Sequence, residues 1–362
     1  MTRSIDDKAI EDRLRDVLAI HFDPDNGAPY WLDRADALGF DPRADVQSVG
    51  DLARFPTMDP TEIAARRLDD FLPRPLLARR NELIVAQTGG TLGQPVWTAY
   101  CEHEFRESFV DPFVIAANHV HFPTCGTWLY VGPSGPHIIG RAADAIARAT
   151  GSMTPFSVDF DPRWARKLAP GSFASQRYLQ HVVDQALAIL ELQEITVLFS
   201  TPVVIKALAS AMRPELRERI RGVHYGGMAV DPGELMTLQS ESFPGAVHMS
   251  GYGNTLFGCC LELDVSPGRE LTYFPYGTRL YFGVLNDQGE VDGAPVYDRS
   301  GIKGRLVFSR LDLSVLLINV LERDTVKLCP PPANAPLGYQ MMGVETPTPR
   351  VEGRKIAEVS LY

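Results

Sequence analysis

The pattern of apolar positions changes twice along the chain, near residue 84 and after residue 260. Before residue 84, apolar residues at helical spacing between residues 5 and 19 predict an amphipathic helix. In the stretch 28–72, Pro and Gly interrupt the apolar pattern repeatedly, which predicts small helices wrapped around a larger body. Asp59 followed by Pro60 predicts a helix start, because an N-cap carboxylate accepts a backbone N–H and Pro suits the first helical position.

From residue 84 to residue 260, short apolar runs alternate with helical patterns, as they do in β-α chains. The runs at 128–132, 195–200 and 245–253 predict strands. Helices are predicted at 102–118, 138–150, 162–168, 175–192, 202–211 and 232–242. Beyond residue 260 the apolar runs are separated by short turns. The pattern therefore predicts an α/β body followed by a mostly β part.

Length and composition restrict the class of protein. The 362 residues are 45% hydrophobic and 22% charged, which is typical of a folded chain with a sizeable core and more than one simple layer. The net charge of −10 argues against nucleic-acid and anionic-membrane partners, since both attract positively charged proteins. The five cysteines form no C-x-x-C pair and the N-terminus has no signal-peptide run, so a cytoplasmic location is expected.

The segment 87–95, QTGGTLGQP, combines three glycines with two threonines. In such a loop the backbone N–H groups converge and the hydroxyls add donors, an arrangement that holds phosphate groups. The segment departs from the pattern G-x-x-x-x-G-K-[ST], because no Lys follows and the glycine spacing differs. The alternative is a simple turn.

Two further glycine motifs follow strand-like apolar runs: Tyr225–Met228 (YGGM) and Tyr252–Thr255 (YGNT). Open α/β sheets bind ligands at the carboxyl ends of their strands, which favours a binding role for both motifs. The alternative is a strand-to-helix turn that needs a positive φ angle. His224 and His248 each precede one of these motifs, which makes them candidates to reach a ligand there; the alternative is a role in packing.

In this order and at these separations, the three motifs resemble those of the adenylate-forming superfamily, and within it the phenylacetate-CoA ligase branch. The segment 87–95 is similar to that branch's S-S-G-T-T-G-K-P loop, YGGM to its glycine-pair motif, and YGNT to its Y-G-x-[ST]-E motif. The segment LLINVLERDTVKL resembles the family's I-R-Y-R-T-G-D segment and places Asp324 where the family holds the ribose hydroxyls. The resemblance spans residues 28 to 354.

The resemblance implies the large N-terminal domain of an adenylate-forming ligase, an α/β fold with a β-rich subdomain. The implied reaction is ATP-dependent activation of a small hydrophobic or aromatic carboxylic acid as an acyl-adenylate, with transfer to a thiol or amine to follow. The implied nucleotide-binding residues are Thr88, Gly89, Gly90, Thr91, Gly93, Gly226, Gly227, Tyr252, Gly253, Asn254, Thr255 and Asp324. The implied acyl-binding residues are His224, Tyr225, Gly226 and Gly251, and the implied catalytic residues are Thr88, Thr91, Thr255 and His248.

Three departures from the family pattern bear on chemistry. Leu256 stands where Y-G-x-[ST]-E ends in the Glu that helps to hold Mg²⁺ beside ATP, and a leucine cannot coordinate a hard cation. No protein residue is therefore assigned to a metal. The glycine loop lacks the family's Lys. The chain reaches a hinge-like GRK at 353–355 and ends at Tyr362, so the C-terminal lid domain is expected to be absent.

These departures leave two functions open. Either the chain is an adenylate-forming enzyme, or it is a degenerate homologue that binds nucleotide or acyl ligand as a partner subunit or in a different condensation. CoA, a carrier protein or an amine are the candidate acceptors, and a separate lid subunit and a homodimer also stay open. The predicted segments are an N-terminal helical wrap (1–75), an α/β ligand-binding core (76–260), a β-rich subdomain (261–350) and a C-terminal stub (351–362).

Overall fold

The structure, a computed structural model, describes residues 7–89, 94–285, 295–297 and 300–349. These residues form two compact units. Unit 1 takes in the described residues up to Ser108, Leu256–Gly258 and those from Phe274 onward, and unit 2 takes in 109–255 and 259–273. Unit 1 thus joins the N-terminal helices to the β-rich part, and the four predicted segments stay predictions about the sequence.

The helices of the described residues are mostly short before residue 100 and longer after it. The α-helices are α1 (Asp7–His21), α2 (Pro29–Ala35), α3 (Pro42–Asp45), α4 (Pro60–Ala64), α5 (Arg74–Leu77), α6 (Glu102–Phe105), α7 (Asp111–His119), α8 (Ile138–Ala149), α9 (Pro162–Ala165), α10 (Phe173–Leu192), α11 (Pro202–Ala211), α12 (Pro214–Arg217) and α13 (Pro232–Thr237). Short 3-10 helices lie at Asp36–Leu38, Val49–Arg54, Leu68–Phe71 and Arg80–Glu82, and π-helical turns at Arg106–Val110 and Leu238–Ser242.

The small helices predicted for 28–72 are confirmed, and Asp59 caps α4 by accepting the N–H of Thr61. The single helix predicted for 102–118 is wrong in one respect. It is divided into α6, a π-helical turn and α7, with Pro112 in the first turn of α7. Pro has no N–H to donate to the preceding turn, so a new α-helix begins there.

The strands are β1 (Leu83–Gln87), β2 (Trp97–Cys101), β3 (Trp128–Val131), β4 (Phe156–Val158), β5 (Val197–Ser200), β6 (Gly222–Tyr225), β7 (Val247–Asn254), β8 (Gly258–Leu261), β9 (Thr272–Tyr273), β10 (Leu280–Leu285), β11 (Lys303–Leu311), β12 (Leu316–Cys329) and β13 (Gly343–Pro349). The α/β body followed by a mostly β part is confirmed. The pattern did not predict β4, whose three residues are too few for a periodic signal.

Unit 2 is built on a parallel sheet in the order β4-β3-β5-β6-β7, with β8 beside β7. Every residue of β3, β5 and β6 is buried, as expected for parallel strands that are covered on both faces. The chain passes from β3 outward to β4 and then back across β3 to β5. The winding direction therefore reverses at β3, and the carboxyl ends of all five parallel strands lie along one edge.

Unit 1 contains an antiparallel sheet in the order β10-β11-β12-β13 and a separate hairpin, β1-β2. A cluster of buried charged side chains connects this sheet to other segments of unit 1. Asp312, which follows β11, accepts hydrogen bonds from Arg279 at 2.9 and 2.7 Å and from Arg310 at 2.5 Å. Arg310 also donates to the carbonyl oxygens of Ala99 and Leu256, at 2.6 and 3.0 Å.

Candidate ligand site

The carboxyl ends of β6 and β7 place two of the three glycine motifs side by side in unit 2. Tyr225 on β6 is paired in register with Ser250 on β7, and neighbouring strands lie about 4.8 Å apart. Gly226 and Gly227 follow the end of β6. The residues Tyr252, Gly253 and Asn254 form the last part of β7, which begins two residues later and ends one residue later than the predicted run at 245–253, and Thr255 lies in the turn beyond it.

Both glycines after β6 have a structural reason to be glycine. A Cβ added at Gly226 would lie 3.0 Å from the ring of Phe199, so a side chain there would press on a buried aromatic residue. Gly227 has φ +79°, a region that side chains with a Cβ rarely adopt. The close backbone approach and the turn are thus both present, and Gly227 is exposed.

His224 lies on β6 directly below the glycine pair. Its Nδ1 donates to the carbonyl oxygen of Met249 at 3.0 Å, which leaves Nε2 as the acceptor of the neutral ring. Burial lowers the pKa of His224 to about 4. The ring packs at 4.4 Å from the Phe199 ring and 4.9 Å from the Phe113 ring, between centroids. A Cβ built on Gly251 would lie 3.4 Å from Cε1 of His224. The two predicted acyl-binding residues His224 and Gly251 are therefore neighbours in the structure.

His248 lies on β7, and both of its ring nitrogens are hydrogen-bonded inside the protein. Nε2 donates to the carbonyl oxygen of Phe243 at 3.1 Å, and Nδ1 accepts the hydroxyl of Tyr225 at 2.7 Å. Burial lowers the pKa of His248 to about 4, and burial raises the pKa of Tyr225 well above its usual value. This pair ties β6 to β7 just below the two glycine motifs, which favours positioning over proton transfer.

A buried ion pair that the sequence did not reveal lies next to the same end of β7. Glu262 accepts the backbone N–H and the hydroxyl of Ser250 at 2.6 and 2.7 Å. Arg269 donates to Glu262 at 2.7 and 2.8 Å and to the carbonyl oxygen of His248 at 3.1 Å. The two side chains thus bind the backbone of β7 from the segment that directly follows β8. Glu262 inside the apolar run CCLELDV is the signal that sequence reasoning missed.

The segment 87–95 belongs to unit 1 and connects the paired strands β1 and β2, and its residues 90–93 lie outside the described residues. Thr88 lies at the neck of the loop, where its N–H donates to the carbonyl of Val96 and its Oγ1 accepts the N–H of Val96, each at 2.9 Å. Gly89 follows it. Gly90, Thr91 and Gly93 lie outside the described residues, so their predicted roles stay predictions.

Asp324 and Leu256 also belong to unit 1. Asp324 is buried within the long strand β12, with one carboxylate oxygen 3.7 Å from Nε of Arg323. Leu256 is 4% exposed, and its carbonyl oxygen accepts a hydrogen bond from Arg310. Because an apolar side chain is packed there, this position does not fit a magnesium ligand. The described residues contain no group of three or more His, Cys, Asp or Glu suited to a metal ion.

The whole chain has counterparts among solved structures. One is 2-hydroxyisobutyryl-CoA ligase in complex with 2-HIB-AMP and CoA in the thioesterification state, with a TM-score of 0.66 and 19% identity over 94% of this chain and 67% of that one. Another is the same ligase in the postadenylation state, with a TM-score of 0.65 and 18% identity over 95% and 68%. The predicted fold is confirmed.

This chain therefore has the fold of the large N-terminal domain of an adenylate-forming ligase, and it spans about two thirds of the length of those ligases. No protein-family model and no curated sequence matches it. Among the described residues, no helix is both long and apolar enough to span a membrane. Identity this low establishes the fold, and activity has to be argued from the residues.

Proposed function

We propose that this protein activates a small hydrophobic or aromatic carboxylic acid with ATP, giving an acyl-adenylate and pyrophosphate. The observation that supports the proposal most is the fold, shared along almost the whole chain with a ligase that binds an acyl-adenylate. Two of the three glycine motifs, YGGM and YGNT, also lie side by side at the carboxyl edge of a parallel sheet, where such sheets bind ligands.

In the proposed reaction a carboxylate oxygen attacks the α-phosphorus of ATP. The new O–P bond forms as the bond to the pyrophosphate oxygen breaks, and the electron pair leaves with pyrophosphate. Gly226 and Gly227 would line the adenine and acyl groups, and Thr255 and Asn254 would contact the phosphates. The neutral His224 ring, with Phe113 and Phe199 beside it, would form the apolar packing that supports the glycine pair from below. The protein contributes positioning and fixed dipoles.

Carboxylate-dependent exchange of labelled pyrophosphate into ATP tests this function. The assay should be run across a panel of aryl and alkyl acids, with and without Mg²⁺. Exchange that requires one class of acid supports the proposal. A purified chain that binds neither ATP nor any acid in calorimetry, and shows no exchange with any acid, would contradict it.

The second candidate function is a degenerate homologue that binds nucleotide or acyl ligand without adenylating. Leu256 is the observation that favours it, since the family's carboxylate is replaced there by a buried apolar side chain. Losing one preorganised group that stabilises transition-state charge typically costs about 10²- to 10³-fold in rate. We therefore expect the isolated chain to bind ligand and to turn over slowly. Rapid exchange with ordinary dependence on Mg²⁺ would show that Leu256 does not matter.

A variant at Asp324 tests the nucleotide-binding role that the resemblance implies. We expect Asp324→Asn to weaken ATP binding by about 1–3 kcal/mol, because a carboxylate accepts from both ribose hydroxyls more strongly than an amide does. Calorimetry with ATP measures the change. Glu345→Gln is the matched control, since Glu345 lies on the neighbouring strand and pairs with the surface residue Lys327. Equal affinities of wild type and Asp324→Asn would show that this position does not hold the ribose.

A further inference from the structure

Tyr273, in β9 of unit 2, contacts the aromatic ring of the YGNT motif. It is 4% exposed, and none of the glycine motifs contains it. The centroid of its ring lies 5.7 Å from that of Tyr252, and the two ring planes are inclined by 37°. Tyr252 is half-buried and the following Gly253 is exposed. A buried ring thus packs against a motif ring that reaches the surface.

The hydroxyl of Tyr273 is anchored to β7. It lies 2.9 Å from Oγ of Ser250, and that Oγ donates its single proton to Glu262 at 2.7 Å. The proton between the two hydroxyls therefore belongs to Tyr273, which donates to Ser250. Arg269 completes the chain of hydrogen bonds by donating to Glu262. Burial raises the pKa of Tyr273 well above its usual value, so the phenol keeps its proton and this bond at neutral pH.

The side chain of Tyr273 contacts two successive positions on one face of β7. Side chains two residues apart along a strand point to the same face, so Ser250 and Tyr252 are neighbours there. Tyr273 binds the first through its hydroxyl and packs on the second through its ring. The ring cannot turn away without breaking a buried hydrogen bond, which is costly to leave unmade. Tyr252 therefore packs against a fixed surface.

We propose that Tyr273 is a positioning residue for the nucleotide: it fixes the plane of the Tyr252 ring, on which the base packs. This inference rests on the proposed function, in which Tyr252 is a nucleotide-binding residue, and it adds a residue outside the glycine motifs. A ring that is already oriented loses less conformational freedom when a planar base binds to it. Tyr273 therefore sets the affinity for the nucleotide and does not take part in the reaction at the α-phosphorus.

Calorimetry with ATP on the whole chain tests this role. Tyr273→Leu removes the ring that supports Tyr252, and we expect it to weaken ATP binding about 10-fold, a large part of one base-stacking interaction. Tyr273→Phe keeps the ring and loses only the hydrogen bond, so we expect a loss of about 3-fold. In pyrophosphate exchange, both variants should raise the KM for ATP and leave kcat and the KM for pyrophosphate unchanged.

A double-variant cycle separates positioning from general packing. If Tyr273 acts through the Tyr252 ring, neither Tyr273→Leu nor Tyr273→Phe should weaken ATP binding further once Tyr252→Leu has been made. Tyr281→Leu is the matched control. Tyr281 is a buried tyrosine of unit 1, 6% exposed, so this change should lower the free energy of unfolding and leave the ATP affinity of the folded chain unchanged.

The outcomes separate this inference from the proposed function. Equal ATP affinities of wild type and both Tyr273 variants would overturn the inference even if exchange is robust. Losses of equal size with and without Tyr252→Leu, or a lower kcat at unchanged KM, would also overturn it, because Tyr273 would then not act through Tyr252. If Tyr273→Leu does not fold, the cycle with Tyr273→Phe decides by itself. A wild-type chain that binds no ATP would contradict the proposed function and this inference together.

Discussion

Asp312→Asn is expected to lower the free energy of unfolding by about 3–5 kcal/mol, because it removes the carboxylate that binds both arginines of a buried cluster. Arg279 and Arg310 each donate to Asp312, and Arg13 lies 3.3 Å from it. The side chains of Asp312 and Arg310 are fully buried. Without the carboxylate, two guanidinium groups stay out of water and lose the charged partner that both of them bind, and this desolvation is the main cost.

The same cluster predicts a pH dependence. Burial by itself would raise the pKa of Asp312, but the charges of Arg279 and Arg310 outweigh it and hold that pKa well below its usual value. A carboxylate with a depressed folded-state pKa stabilises the fold above its unfolded-state pKa, which is about 4. We therefore expect the wild type to lose this contribution progressively as the pH falls below about 4, and Asp312→Asn to show a flatter profile there.

Urea unfolding followed by circular dichroism, repeated from pH 7 to pH 3, measures both effects. Asp69→Asn is the matched control in unit 1. Asp69 also binds an arginine through both oxygens, Arg80 at 3.0 and 2.9 Å, but at the surface, so the loss should be far smaller. If Asp312→Asn and Asp69→Asn unfold at the same urea concentration, the buried cluster contributes nothing beyond a surface pair.

Glu262→Gln is the second change with a large expected effect, in unit 2. Its side chain is 1% exposed and that of its partner Arg269 is 3% exposed, so the variant leaves a buried, uncompensated cation. Breaking such a pair from one side typically costs about 3–5 kcal/mol. Glu262→Gln with Arg269→Met should recover part of this loss, because the double variant removes both charges and keeps most of the volume.

The location of the pair predicts a local effect as well. Glu262 and Arg269 bind the N–H of Ser250 and the carbonyl of His248, in the part of β7 just before the motif at its end. We expect faster amide hydrogen exchange at 250–254 in Glu262→Gln, together with weaker binding of ATP. Glu234→Gln, which breaks the surface pair with Lys206, is the control. Unchanged exchange at 250–254 would show that the pair supports the fold without positioning the motif.

Local patterns in the sequence determined much of the fold. The helices near 138–150, 175–192 and 202–211 agree with α8, α10 and α11, because long apolar repeats at helical spacing leave few other ways to bury one face. The sequence pattern also predicted the change to a mostly β part after residue 260. The strand β4 was not, because three residues of a parallel strand show no alternation, and their pairing with β3 is fixed by a distant segment.

The sequence by itself determined which glycine motifs are present and that the chain has the fold of an adenylate-forming ligase's large domain. Only the tertiary structure decided what surrounds them. Glu262 and Arg269 are only seven residues apart, yet what they bind is the backbone of β7, which precedes both in the sequence. Asp312 binds Arg310 two residues away, but it binds Arg279 only because folding brings that distant residue beside the end of β11. Propensity and periodicity arise from neighbours along the chain, whereas charge pairing and burial arise from neighbours in space. A sequence pattern therefore predicts elements and motifs, and the packed structure determines which polar groups are buried, paired and able to position a ligand.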